Sequence, residues 1–195
     1  MHPTEIHFLE VSKRLAMVGV QVAQAYNQEQ AKLNLDAVLS PDRLSSEEGT
    51  TESIETLKNL RELTQAHKGA YDQFMLTAMS ELRAVLEAMP PDIQFEHKSH
   101  LASSVNWQLA AQAEFYANRA TWIGAAEAIC NLIQSRRATC VFTDAGVDFV
   151  DDVDLIEFSR LLEKIEETHQ VEVSAFQERV SRLNKALSVI GERAQ

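Results

Sequence analysis

Four long stretches of this chain place an apolar residue every three or four positions. An α-helix turns once in about 3.6 residues, so this spacing gathers the apolar side chains on one helical face. Such faces have to be buried against one another. The expected fold is therefore all-α: an elongated antiparallel four-helix bundle. Only 6 Gly and 4 Pro occur among 195 residues, which agrees with long helices and few turns. A hydrophobic content of 45% suffices for one core, so residues 1–195 are expected to form a single helical-bundle domain.

The first helix is predicted over Thr4–Leu39, with Val11, Leu15, Val18, Val22, Ala25 and Leu33 as its buried stripe. Pro41 ends it, because proline disfavours helical backbone at the preceding residue. The Ser-, Thr- and Glu-rich stretch over residues 40–53 reads as a polar, mobile loop. A second helix follows to Met89, carrying Ile54, Leu57, Leu60, Tyr71, Phe74, Ala78, Leu82 and Val85 inward, and Pro90-Pro91 closes it. After a connection over Asp92–Lys98, a third helix is expected over Ser99–Arg137. Its inward candidates are Leu101, Val105, Leu109, Phe115, Trp122, Ala126, Ile129 and Ile133. Arg136 and Arg137 fall in its last turn, where cations favour the negative end of the helix dipole.

The pattern then changes. Residues 139–150 read as a small β-hairpin-like insertion between the third and fourth helices, with strands at Cys140–Thr143 and Val147–Val150. Asp144-Ala145-Gly146 forms the expected turn, Gly146 taking its left-handed position. Strands this short are marginal alone, so Val141, Phe142, Val147 and Phe149 need cover from the bundle or from a second copy. They are the interface candidates, and a homodimer is the expected assembly. Asp151, Asp152 and Asp154 open the fourth helix, where carboxylates suit unpaired amides and the positive dipole end. Phe158, Leu162, Ile165, Phe176, Val180, Leu183, Leu187 and Ile190 approach a heptad seam.

Lys and Arg number 18 against 29 Asp and Glu, a net charge of -11. That field repels phosphate backbones and anionic lipid headgroups, and it suits a basic partner surface. No nucleic-acid partner is expected, and a membrane partner is disfavoured. The chain has no glycine-rich phosphate loop, no nucleophile elbow and no two-histidine zinc helix motif. One cluster suggests chemistry. Glu166, His169 and Glu172 recur every three residues on the fourth helix. Glu-x-x-His is one element of carboxylate-bridged di-iron sites in ferritin-like bundles. Such a site needs a second copy of the motif, and His67 on the second helix stands five residues from Glu62, the wrong spacing. His67 and His169 fit better as polar residues that fix helix register than as metal ligands.

Cys130 and Cys140 make neither a disulfide framework nor a zinc site, and Cys130 reads as a small core residue. Met1–Glu10 lacks the charge and apolar run of a secretory leader, and no stretch approaches the roughly 20 apolar residues that span a bilayer. A cytoplasmic protein without a cofactor is expected, secretion without a signal peptide staying open. Three readings of function follow. The favoured one is a non-enzymatic protein–protein interaction module working through long helix faces: an adaptor, a chaperone-like partner or an inhibitor of a basic protein. The alternatives are a ferritin-like metal-binding bundle and a membrane-acting helical bundle.

Overall fold

His2 begins the first helix by accepting the amide of Thr4 on its side chain, while Glu5 reaches back to the backbone of His2. This reciprocal cap satisfies amides that the helix itself cannot. In the computed structural model, α1 spans Pro3–Ala31. The structure describes residues 2–143 and 146–193, with side chains described through Glu178 and at Ser181. The helix stops well short of Leu39, because Asn34 takes a left-handed backbone (φ 48°) and a 3₁₀ turn follows over Leu35–Ala37. Asparagine is one of the few side chains that tolerate this conformation.

The stretch expected to be a mobile loop is helical. Ser40 caps a short helix α2, Pro41–Ser45, through its hydroxyl. Ser46 then breaks the chain and caps α3, accepting the amide of Gly49 at 2.9 Å. Helix α3 runs Glu47–Glu87, and Leu44, Thr50 and Ser53 are buried. A side chain at residue 49 would collide with the backbone of Arg43, so only glycine lets α2 lie this close to α3. Helix α4 begins at Pro91, not at Ser99, and reaches Arg136. Proline is tolerated in a first helical turn because its missing N–H would be unpaired there. Gln94 Nε2 donates to the Leu86 carbonyl at 2.7 Å and so ties the start of α4 to the end of α3.

A 3₁₀ turn over Arg137–Thr139 leads into strands β1, Cys140–Thr143, and β2, Gly146–Phe149. They pair antiparallel, with Val141 opposite Asp148 and Phe142 opposite Val147. Gly146 lies in β2 opposite Thr143, at φ +143°, and is not part of the turn. The other residues of the expected turn, Asp144 and Ala145, lie outside the described residues. Helix α5, Asp152–Arg193, completes the chain. The fold is thus all-α with one small two-stranded sheet.

The chain divides into two compact units. The first comprises Met1–Val38 and Glu55–Gln112. Its core joins Val11 and Leu15 of α1 to Ala78 and Leu82 of α3, flanked by Phe8, Phe74, Val85 and Leu101. The pairs Arg14–Glu81 and Tyr26–Thr64 show that α1 and α3 run antiparallel. The second unit comprises Leu39–Ile54 and Ala113–Gln195. Here Ile129 and Ile133 of α4 are fully buried, each worth about 2 kcal/mol in apolar area removed from water. Helices α4 and α5 run antiparallel, as the Arg136–Asp154 and Arg119–Glu172 ion pairs require.

Candidate functional site

The hairpin of the second unit has two different faces. Alternation along β1 and β2 puts Cys140, Phe142, Val147 and Phe149 on one side and Val141, Thr143 and Asp148 on the other. The first side is covered by the chain itself. Val147 is buried, Phe149 stacks on Phe158 of α5 with ring centroids 5.2 Å apart, and Arg137 lies 5.3 Å over the ring of Phe142. Three of the four interface candidates therefore make contacts within the second unit. Val141, the fourth, is 54% exposed.

Beyond β2 the surface stays apolar and open. Val150 is 76% exposed, Val153 70% and Ile156 67%. Among them stand three exposed carboxylates, Asp148, Asp151 and Asp152. Asp151 has a local role, since its Oδ1 accepts the amide of Val153 at 2.8 Å and caps α5. Asp154 differs from these. It is buried and accepts from Arg136 Nε at 2.7 Å, so its charge is compensated inside the unit.

Arg137, expected in the last turn of the third helix, instead opens the 3₁₀ turn that follows α4, and its role is larger than a dipole contact. Its guanidinium donates to the carbonyls of Ser45 and Ser46, both at 2.8 Å, and to Thr50 Oγ1 at 3.0 Å. Gln134 Nε2 adds bonds to the hydroxyls of Thr50 and Thr51 at 3.3 Å. The one signal available in advance was that buried polar residues need a donor with several N–H groups, which arginine supplies.

The metal candidates are dispersed. Glu166 and His169 are exposed on α5, and Glu166 accepts from Gln170. Glu172 pairs with Arg119 at 3.0 Å. The buried line of α5 runs through Asp154, Leu161 and Thr168, and Leu162, expected in the seam, is exposed. Phe158 and Ile165, also expected there, are half-buried, so the seam keeps these two and takes Leu161 in place of Leu162. Phe176 is exposed, and the side chains of Val180, Leu183, Leu187 and Ile190 lie outside the described residues. His67 belongs to the first unit. Its ring packs on Tyr26 and Tyr71, with centroids 4.5 and 6.3 Å away, and burial pushes its pKa below the ordinary histidine value. Among the described residues no three His, Cys, Asp or Glu side chains come together in a way that could hold a metal ion. Burial also raises both thiols, that of Cys130 to about 11.

In the first unit a groove of ≈ 650 Å³ lies between α3 and α4, lined by Met79, Leu86, Leu101 and Val105 and edged by Arg83 and Lys98. No described helix is long and apolar enough to cross a membrane. Comparison with protein-family models, curated proteins and solved structures found no match to this chain.

Proposed function

We propose that this chain is a non-enzymatic protein–protein interaction module, an adaptor, chaperone-like partner or inhibitor of a basic protein, that works through apolar helix faces. In this reading the four long helices form one antiparallel bundle, and a homodimer is its expected assembly. The carrying observation is that α1 is apolar on two sides. Phe8, Val11 and Leu15 pack inward in the first unit, while Ile6, Leu9, Met17 and Val20 are exposed. The exposed set recurs at helical spacing, so it forms a second stripe and not scattered surface residues. Phe95, 80% exposed on α4, adds an aromatic side chain to the open surface of the same unit. Exposed apolar side chains aligned on one helix face suit an interaction site, and the net charge of -11 favours partners of opposite sign.

Chemical cross-linking in the native cell, followed by affinity purification and mass spectrometry, tests the reading. Wild-type protein should carry a reproducible cross-linked partner that is lost from Leu9→Glu/Met17→Glu, with helix content unchanged by circular dichroism. A wild-type protein that cross-links to nothing, itself included, would overturn it.

A further inference from the structure

The groove between α3 and α4 is charged at one end and apolar beyond it. Gln94 bonds to the Leu86 carbonyl and so sets the register of the two helices. Arg83 and Lys98, three and four residues from that tie, therefore stand across one end of the groove from each other. Met79, Leu101 and Val105 line the stretch beyond them, and the polar residues there, Ser80 and Asn106, carry no charge. Leu76, one turn from Met79, and Leu109, one turn from Val105, continue the apolar line and are exposed. Arg83 donates Nε to Glu87 at 2.8 Å, and its two terminal nitrogens make no hydrogen bond among the described residues. Lys98 is exposed and makes no ion pair among them. One carboxylate, Glu87, thus stands against two cations on the groove lining.

We propose that this groove binds a medium-chain fatty acid, its carboxylate between Arg83 and Lys98 and its acyl chain along Met79 and Val105 toward Leu76 and Leu109. This goes beyond the interaction reading, because both walls of the groove belong to α3 and α4 and not to α1. Size selects a small molecule, since ≈ 650 Å³ lies within the range of about 300–1,000 Å³ that ligand clefts occupy. From the cations to the far leucines the groove runs roughly 10 Å along α3 and roughly 16 Å along α4, the reach of one acyl chain. Charge selects an anion. The terminal nitrogens of a guanidinium match a carboxylate in one plane, and an ammonium adds a further donor. An amphipathic helix would need apolar contacts under the charged end as well. The net charge of -11 attracts cations in general, so an anion is held only where local cations outweigh that field.

Isothermal titration calorimetry of the full chain with sodium dodecanoate, below its micelle-forming concentration, should show saturable one-to-one binding. Dodecyltrimethylammonium has the same tail and the opposite charge. It should bind at least roughly tenfold more weakly, whereas attraction to the overall charge would give the reverse order. Octanoate should also be at least roughly tenfold weaker, having lost four methylenes from the groove. Lys98→Glu should weaken dodecanoate at least roughly tenfold, and Ala102→Trp, which fills the groove, should abolish its binding. The comparison of the two amphiphiles uses wild-type protein alone and decides the matter if a variant does not fold. No saturation, equal or tighter binding of the cationic amphiphile, or dodecanoate binding unchanged in both folded variants would overturn the proposal. A wild-type dimer dissociated by Ala102→Trp would overturn it too, assigning the groove to a second copy. Failure here leaves the interaction reading standing, because cross-linking through the α1 stripe tests that reading separately.

Discussion

Arg137 donates to the backbone carbonyl of Ser46 at 2.8 Å, and this bond fastens the end of α4 to a segment whose composition reads as a loop. The Ser45 carbonyl lies at the end of α2, where helical partners run out, while the Ser46 carbonyl also accepts the first amide bond of α3, from Thr50 at 3.1 Å. A guanidinium supplies several donors in one plane and answers them together with Thr50. Hydrogen-bonded in this way, the Thr50 hydroxyl is buried at little cost.

Removing that donor set should loosen residues 40–53. Arg137→Ala is expected to lower unfolding stability by about 2–3 kcal/mol, since it leaves partly buried acceptors without a charged donor. Urea denaturation gives the magnitude. Limited proteolysis gives the place, with new cuts between Ser40 and Ser53. Unchanged stability and an unchanged cleavage map would refute the role assigned to Arg137.

Gly49 is a second test of the same packing. A methyl group there meets the Arg43 backbone, which cannot rotate away as a side chain could. Gly49→Ala should cost about 1–3 kcal/mol, even though alanine is the better helix former. A thermal midpoint equal to or above wild type would show that α2 does not approach α3 this closely.

His67 makes the stability of the protein depend on pH. Burial against Tyr26 and Tyr71 disfavours the charged imidazole and lowers its pKa from 6.5. The unfolded chain therefore binds the proton more readily. Stability is fully present above the unfolded value and declines as pH falls toward the folded value. Urea midpoints should fall in wild type as the pH is lowered from about 7.5 to about 5. The fall should be smaller in His67→Gln. Equal slopes in the two proteins would remove His67 as the cause.

Thiol chemistry reports the second core. With its pKa at about 11, the buried Cys130 is almost wholly protonated at neutral pH. Iodoacetamide at pH 8 should modify Cys140 in the folded protein and spare Cys130 until denaturant is added. Equal labelling of both cysteines in native protein would contradict the burial of Cys130.

Glu166 and His169 project from α5 as exposed side chains, and Glu172 is engaged by Arg119. Ferrous iron or zinc should leave the thermal midpoint of wild type unchanged, and His169→Ala should respond no differently. Stoichiometric metal retained through gel filtration by wild type but not by His169→Ala would restore the ferritin-like reading.

The sequence by itself determined the helical class, because apolar spacing near 3.6 residues is a property of the chain and needs no partner to be read. It also located the strands at Cys140–Thr143 and near Val147, since β-branched and aromatic residues clustered between polar turns leave few other conformations. The tertiary structure decided what periodicity cannot carry. It buried Thr50, because Arg137 and Gln134, distant along the chain, supply donors where they fold back. It ended α1 at Ala31 through the left-handed Asn34, a backbone choice that one residue's composition permits and does not require. It set Leu161 and Thr168 into the seam of α5 beside Phe158 and Ile165, on the side where Asp154 and Glu172 pair with Arg136 and Arg119 of α4. It also separated the two sides of the hairpin, leaving Val141 and Asp148 open while Val147 and Phe149 pack inward, since sheet alternation names two faces and only the neighbouring helices choose which is covered.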